Sequence, residues 1–265
     1  MAIAAKFEID YVQYMDAEGR LVRDDLPEFA RDLDHMVELY KLMVSTRIFD
    51  AKSVAMQRTG KLGTYASCLG QEATQVGVGS AMRPEDVLSL SYREYGAQLY
   101  RGVQPREVYT YWGGDERGND YQQEPARHDF AWSVPIATQC PHAAGAALAF
   151  KIRNEPRVAV CCVGDGGTSK GDFYGAINMA GAQQLPLVAV IINNQWAISL
   201  PRHQQTGART LAQKGIAAGL YSVQVDGNDI IAVRAVVEEA IERARNGQGG
   251  SVIEAVTYRL SDHTT

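Results

Sequence analysis

Apolar residues recur at helical spacing between Asp32 and Gln57, at Leu33, Met36, Val37, Tyr40, Met43, Val44 and Ile48. The spacing predicts an amphipathic helix, and Gly60 supplies its stop signal. "GQEATQVGVGSAM" (70–82) predicts a second helix, small on one face, and Val87 to Ser91 a short strand. Pro105 opens a further helix at a position where its missing N–H costs nothing. Gly113 to Arg127 is polar and aperiodic and reads as a surface loop.

After that loop the pattern changes. "RVAVCCV" (157–163), "LVAVII" (187–192), "YSVQV" (221–225) and "SVIEAVTY" (251–258) are nearly continuous apolar runs. Helical patterns over 141–150, 172–184 and 230–246 alternate with them. Such alternation predicts an α/β fold, a parallel sheet with helices on both faces. Residues 31–265 form that domain. Residues 1–30, with a turn at Gly19, read as an arm: either a loosely attached terminus or a segment that packs on a partner.

Composition narrows the function. Of 265 residues, 46% are apolar and 22% charged, and the net charge is −5. This is the balance of an ordinary globular domain, and no basic stripe marks a nucleic-acid surface. No apolar run approaches the roughly 20 residues that span a bilayer. The four cysteines, Cys68, Cys140, Cys161 and Cys162, form no disulfide framework. A reducing, cytoplasmic setting is expected.

The candidate chemistry sits at the ends of two strands. The run ending at Val163 passes into Gly164-Asp165-Gly166-Gly167, and the run ending at Ile192 passes into Asn193-Asn194. Ser169 stands where a Rossmann fingerprint needs its third glycine, and Asp172 where a Walker loop needs lysine. Taken alone, the glycines are equally consistent with a tight turn that binds nothing. An acid among glycines that approach a phosphate would repel it unless a cation intervened. Magnesium is typically held by one or two carboxylates together with substrate phosphates. Asp165, the Asn194 side-chain carbonyl and the Trp196 backbone carbonyl can supply three oxygens. The helix beginning near Asp172 can turn its N-terminal N–H groups to the same anion.

The pair Gly-Asp-Gly and Asn-Asn, separated by a helix and a strand, resembles the thiamine diphosphate signature. "TGKLGTYASCLGQEA", "SLSYREYGAQLYRG", "SVPIATQCPHAAGAA", "GDGGTSKGDFYGAINMAGA", "NNQWAIS", "VDGND" and "TYRLSDHTT" follow in the order found in one family. From about residue 30 onward the chain is similar to the alpha subunit of the first, decarboxylating component of 2-oxo acid dehydrogenase complexes. The resemblance implies a thiamin diphosphate-binding fold of the diphosphate-domain type. It also implies a heterotetramer with a beta subunit, and thiamine diphosphate with Mg2+ bound by Asp165, Asn194 and the Trp196 carbonyl.

Residue by residue, Gly166 and Gly167 would lie against the diphosphate. Tyr92 and Arg93 match the family's Tyr-Arg, with Arg93 as a diphosphate partner. In "SVPIATQ", Ile136 would wedge the cofactor into its bent form and Val134 would offer its carbonyl. Ser133, Thr138 and Gln139 match positions that bind potassium in branched-chain members. His263 matches a histidine that reaches the diphosphate and the reacting centre. Thr264 falls where mitochondrial members carry a regulatory phosphoserine, and no regulation is inferred from it.

The implied reaction is oxidative decarboxylation of a small 2-oxo acid, with acyl transfer to the lipoyl domain of the acyltransferase component. The glutamate that assists the cofactor belongs to the beta chain in this family, so this chain is expected to need its partner for activity. Within the family, "GQEA" leans toward pyruvate members, which are favoured. "YREYG", "SVPIATQ" and "VDGND" lean toward branched-chain members. Acetoin dehydrogenase alpha chains usually read His-Arg-Gly-His where this chain has Tyr-Arg-Glu-Tyr. A non-catalytic subunit that pairs with a partner without binding cofactor is a further alternative, and intact Asp165 and Asn194 argue against it.

Three departures stand out. The Met-Pro-x-His or Met-His pattern before the wedge is not recognisable in "DYQQEPARHDFAW", where His128 is the one histidine. Position 66 is alanine where some members carry an active-site histidine. The chain stops at Thr265, where members continue into a helical segment that packs on neighbouring subunits.

Overall fold

A computed structural model describes residues 1–265. In chain order the elements are β1 (Tyr11–Val12), α1 (Leu33–Arg58), α2 (Glu72–Ala81), β2 (Val87–Ser89), α3 (Tyr95–Tyr100), α4 (Pro105–Trp112), α5 (Gln139–Arg153) and β3 (Ala159–Gly164). Then come α6 (Gly171–Gln183), β4 (Leu187–Asn193), β5 (Trp196–Ala197), β6 (Leu200–Pro201), α7 (Arg202–Gln205), α8 (Gln213–Ala217), β7 (Tyr221–Asp226), α9 (Ile230–Arg245) and β8 (Ser251–Val256). Six strands form one sheet in the order β1-β7-β8-β4-β3-β2, every pair parallel. This is the α/β architecture that the sequence predicts, and it matches a thiamin diphosphate-binding fold.

The strands are apolar throughout because both faces are covered. Successive side chains on a strand point to opposite faces. Val160, Cys162, Val188, Val190 and Ile253 therefore pack with Val76, Val233 and Val237 of α2 and α9 in one core. Ala159, Cys161, Val163, Ala189 and Val252 pack with Ala144 of α5 and with Phe173 and Ile177 of α6 in the other. Adjacent Cys161 and Cys162 thus belong to different cores, and all four cysteines are free and buried.

The arm is not detached. Tyr11 and Val12 pair with Gln224 and Val225 to add the edge strand, and the Tyr14 and Met15 N–H groups both donate to Asp229 Oδ2. Nor is the Gly113–Arg127 stretch merely a surface loop. It makes two 3-10 turns, Glu116–Asn119 and Ala126–His128, and buries Gly118, Tyr121 and Ala126.

Helix α1 forms where the spacing predicts it, with Asp32 capping its N-terminus through the His35 N–H. Its orientation differs from the expectation of an inward apolar stripe. Leu33, Val37, Tyr40, Val44 and Ile48 are exposed, whereas Leu39, Thr46, Phe49, Asp50 and Ser53 are buried. The reason is Asp50. Its carboxylate accepts from Tyr65 Oη at 3.0 Å, Ser67 Oγ at 2.6 Å and the Cys68 N–H at 2.7 Å. A buried acid with three donors turns this side of the helix inward together with Leu39 and Phe49; Met36 and Met43 of the stripe pack partly buried against the core, and its other members are left outside. No helix is long and apolar enough to cross a membrane.

Candidate active site

The carboxyl ends of four neighbouring strands converge on one cavity of about 270 Å3. This is where ligands bind in open parallel sheets. The chain after β2 supplies Ser91, Tyr92, Arg93 and Glu94, and the chain after β8 supplies His263. β3 and β4 pair in register through Gly164 and Ile192. Their continuations therefore bring Asp165 and Asn194 to the same cavity wall.

Asp165 is buried, and its Oδ2 has no partner within the chain. Burial, the largest influence, pushes its carboxyl up from 3.8 to about 6, against the pull of backbone N–H groups and of Arg259 and Arg202. Two other orphaned buried atoms, Gln71 Nε2 and Gln139 Oε1, belong to residues lining the same cavity. Asn194 Oδ1 accepts the Trp196 N–H at 3.2 Å, which shapes the turn and leaves a second lone pair. Its Nδ2 faces Gln71 Oε1 at 3.4 Å.

The glycines are required by close packing of this tip. A Cβ on Gly167 would lie 2.6 Å from Val163 Cγ2, and one on Gly166 would lie 2.8 Å from Ala197 Cβ. The helix expected near Asp172 stands one step further off. A 3-10 turn, Gly166–Ser169, follows Asp165 before α6 begins at Gly171. That turn and Lys170 line the cavity, and the first residues of α6 do not.

Arg93 and His263 line the same cavity. Arg93 donates to the Ser67 carbonyl at 2.6 Å and the His263 carbonyl at 2.9 Å, and its Nη2 lies 3.2 Å from His263 Nδ1. Arg259 Nη1 approaches the same Nδ1 at 3.4 Å. A guanidinium can only donate, so Nδ1 must be the acceptor and the neutral ring carries its proton on Nε2. Burial first, then Arg93 and Arg259, push the His263 pKa down from 6.5 to about 4. Tyr92 meets the ring edge-on, with centroids 6.2 Å apart.

The cavity thus unites Tyr92, Arg93, Ile136, Asp165, Gly166, Gly167, Asn194, Trp196 and His263. Ile136 is half-exposed at the rim. Val134 is exposed and does not line the cavity. Of the trio Ser133, Thr138 and Gln139, Gln139 alone reaches it, with Nε2 donating to the Cys162 carbonyl at 2.7 Å. His128 sits outside, 3.2 Å from Glu124, and Ala66 is buried away from the cavity.

Sequence reading missed Gln71, Glu94, Lys170 and Arg259. Glu94 follows directly on Tyr-Arg, and burial pushes its carboxyl up to about 7. Arg259 lies four residues before His263 in the same quoted segment, and that proximity was the available signal.

The family profile described as "Dehydrogenase E1 component" matches residues 40–265. The chain belongs to the dehydrogenase E1 component family. Its similarity to named relatives agrees. It is 43% identical over 251 residues to a pyruvate dehydrogenase E1 component subunit alpha of Acholeplasma laidlawii, covering 94% of this chain and 72% of that one. It is 43% identical over 263 residues to a 3-methyl-2-oxobutanoate dehydrogenase subunit alpha of Mycobacterium tuberculosis, covering 97% and 70%. A Staphylococcus aureus pyruvate dehydrogenase E1 component subunit alpha is 41% identical over 260 residues, covering 98% and 69%. The chain is therefore an E1 alpha subunit of a 2-oxo acid dehydrogenase.

E1 family membership implies dependence on thiamine diphosphate. The residues present fit a metal-bound diphosphate. One buried carboxylate has an unsatisfied oxygen, an amide oxygen stands on the neighbouring tip, and Arg93 and Lys170 line the same cavity. No cluster of three His, Cys, Asp or Glu is present. A single carboxylate with amide and carbonyl oxygens suits a hard, partly hydrated cation that shares its ligands with phosphate.

Proposed function

We propose that this E1 alpha subunit binds magnesium–thiamine diphosphate at the tips of β3 and β4 and serves the oxidative decarboxylation of pyruvate. The observation that carries the reading is the unpartnered Asp165 carboxylate oxygen, buried beside Asn194 at the ends of two paired parallel strands. Asp165, Asn194 Oδ1 and the Trp196 carbonyl would hold Mg2+. Gly166 and Gly167 let the backbone come close to the diphosphate. Arg93, with Tyr92 beside it, adds positive charge that offsets the phosphates. Ile136 would set the bend of the cofactor and Val134 would offer its backbone carbonyl. Thiamine diphosphate, when bound, supplies the electron sink that lets a 2-oxo acid lose carbon dioxide.

His263 acts in this reading as a neutral donor. Arg93 and Arg259 occupy its Nδ1 side, and Nε2, which bears the proton, has no partner within the chain. A proton held there is available to a phosphate oxygen or to the reacting centre.

The partner is a beta subunit, as the name E1 alpha implies. The acyl group goes on to the lipoyl domain of an acyltransferase component. Free, buried cysteines support a cytoplasmic setting.

A branched-chain reading stands second. It is supported by equal 43% identity to the 3-methyl-2-oxobutanoate relative and by the orphaned Gln139 oxygen, which suits a K+ site with Ser133 and Thr138. The test is dye-linked oxidation by the full chain isolated with its beta partner, comparing pyruvate with 3-methyl-2-oxobutanoate, with and without thiamine diphosphate and Mg2+. Cofactor-dependent preference for pyruvate is expected. Preference for the branched acid moves the assignment to the second reading, and turnover of neither removes both.

A further inference from the structure

Two charged side chains are buried just behind the cavity. Lys214 of α8 and Glu254 of β8 are both shielded from solvent, and neither lines the cavity. Burying charge is costly unless hydrogen bonds replace water, and both groups are well supplied. Lys214 Nζ donates to the Thr168 carbonyl and to Thr168 Oγ1, each at 2.8 Å. Thr168 Oγ1 donates in turn to the Asp165 carbonyl at 2.7 Å. Glu254 Oε1 accepts from Asn193 Nδ2 at 2.7 Å. Its Oε2 accepts from the N–H groups of Leu211 and Ala212, at 2.7 and 3.1 Å, and from Gln224 Nε2 at 3.0 Å.

One short segment, residues 211–214, is therefore tied at one end to the acid that holds Asn193. At the other end it is tied to the hydroxyl that closes the Asp165 turn. We propose that Lys214 is a positioning residue that sets the separation of Asp165 and Asn194, acting through Thr168, with Glu254 anchoring the other end of its segment beside Asn193. The inference rests on the reading of Asp165 and Asn194 as ligands of one metal.

The need for such a tie follows from the topology. The paired register of β3 and β4 ends at Gly164 and Ile192. Asp165 and Asn194 lie beyond it, where one long backbone bond, Asp165 N–H to the Ile192 carbonyl at 3.3 Å, is all that still joins the two tips directly, and the side-chain bonds add to it. Mg2+ demands near-ideal octahedral geometry at about 2.0–2.1 Å, so a small error in tip separation weakens it. Outer partners of metal ligands are typically worth about 10- to 100-fold in metal affinity.

The test uses the full chain with its beta partner and the variants Lys214→Met, Thr168→Val and Asp165→Ala. Three quantities are measured: the Mg2+ dissociation constant at saturating thiamine diphosphate, kcat at saturating Mg2+, and the melting temperature of the cofactor-free protein. Lys214→Met and Thr168→Val are each expected to weaken Mg2+ by about 10- to 100-fold while kcat at saturation is retained. Asp165→Ala is expected to lose metal-dependent cofactor binding. If the first two bind Mg2+ like the parent while Asp165→Ala does not, the metal clamp stands and the positioning role is overturned. The same holds if they lower melting temperature and kcat without moving the Mg2+ constant. Unchanged metal-dependent binding in Asp165→Ala would remove the clamp and this inference together. Should Lys214→Met fail to fold, Thr168→Val decides by the same criterion, because it removes only the hydroxyl between Lys214 and Asp165.

Discussion

Replacing Asp165 with asparagine separates the cost of the candidate site from its use. The Asp165 side chain is 1% exposed, one oxygen is unpartnered, and burial raises its pKa from 3.8 to about 6. The shift corresponds to about 3 kcal/mol against the ionised form, at roughly 1.36 kcal/mol per pKa unit. The folded state favours the neutral acid. That contribution is fully present below the unfolded value and is lost as pH rises through about 6. Near neutral pH the cofactor-free protein therefore carries a buried charge that backbone N–H groups, Arg259 and Arg202 offset only in part. Asparagine has the same shape and no charge.

The cofactor-free Asp165→Asn chain should be more stable than the parent by up to about 3 kcal/mol at neutral pH. At roughly 2–4 °C per kcal/mol this is a rise of about 6–12 °C in melting temperature. The gain should shrink toward nothing below the unfolded carboxyl pKa. The assay is thermal unfolding of metal-free protein across this pH range, paired with a test of metal-dependent cofactor binding, which the variant should lose. An Asp165→Asn protein no more stable than the parent at neutral pH, or one whose gain does not depend on pH, would refute the reasoning.

Other expectations follow from the same contacts. His263 should titrate near pH 4 in the cofactor-free protein, and Arg259→Met should raise that value by removing one of the two nearby guanidinium charges; ring-nitrogen NMR reads both. Because its folded pKa is depressed, its contribution to stability is present above 6.5 and lost as pH falls through about 4. Asp50→Ala strands three buried donors and should cost about 2–4 kcal/mol by denaturant unfolding. Gly167→Ala forces a Cβ to within 2.6 Å of Val163 Cγ2 and should cost about 1–3 kcal/mol, with weaker cofactor binding. Val44→Lys on the outward face of α1 should change the stability of the isolated chain by no more than about 0.5 kcal/mol. A large loss there would show that Val44 is buried after all.

What was legible in the sequence is what one residue type repeated along a strand can announce. Apolar runs at 157–163, 187–192, 221–225 and 251–258 are strands because both faces of the sheet are covered, and their order in the chain implies parallel pairing. Asp165 and Asn194 were legible because each stands at the end of such a run. The orientation of α1 was not. It depends on Asp50 finding three donors in the 65–68 segment, and no periodicity records a polar partner elsewhere in the chain. The edge strand at Tyr11–Val12 and the two-residue strands β5 and β6 are too short to carry a pattern. Gln71, Glu94 and Arg259 become site residues only when three separate segments meet. Lys214 and Glu254 carry no motif, and only the fold shows that both are buried.

In the proposed site the tips of β3 and β4 hold a divalent cation and, through it, a diphosphate. The most direct measurement is calorimetric titration of thiamine diphosphate into the metal-free full chain with its beta partner, in the presence and absence of Mg2+, for the parent and Asp165→Ala. Binding by the parent is expected only with Mg2+, and none by Asp165→Ala in either condition. Equal binding with and without Mg2+, or undiminished binding by Asp165→Ala, would contradict it.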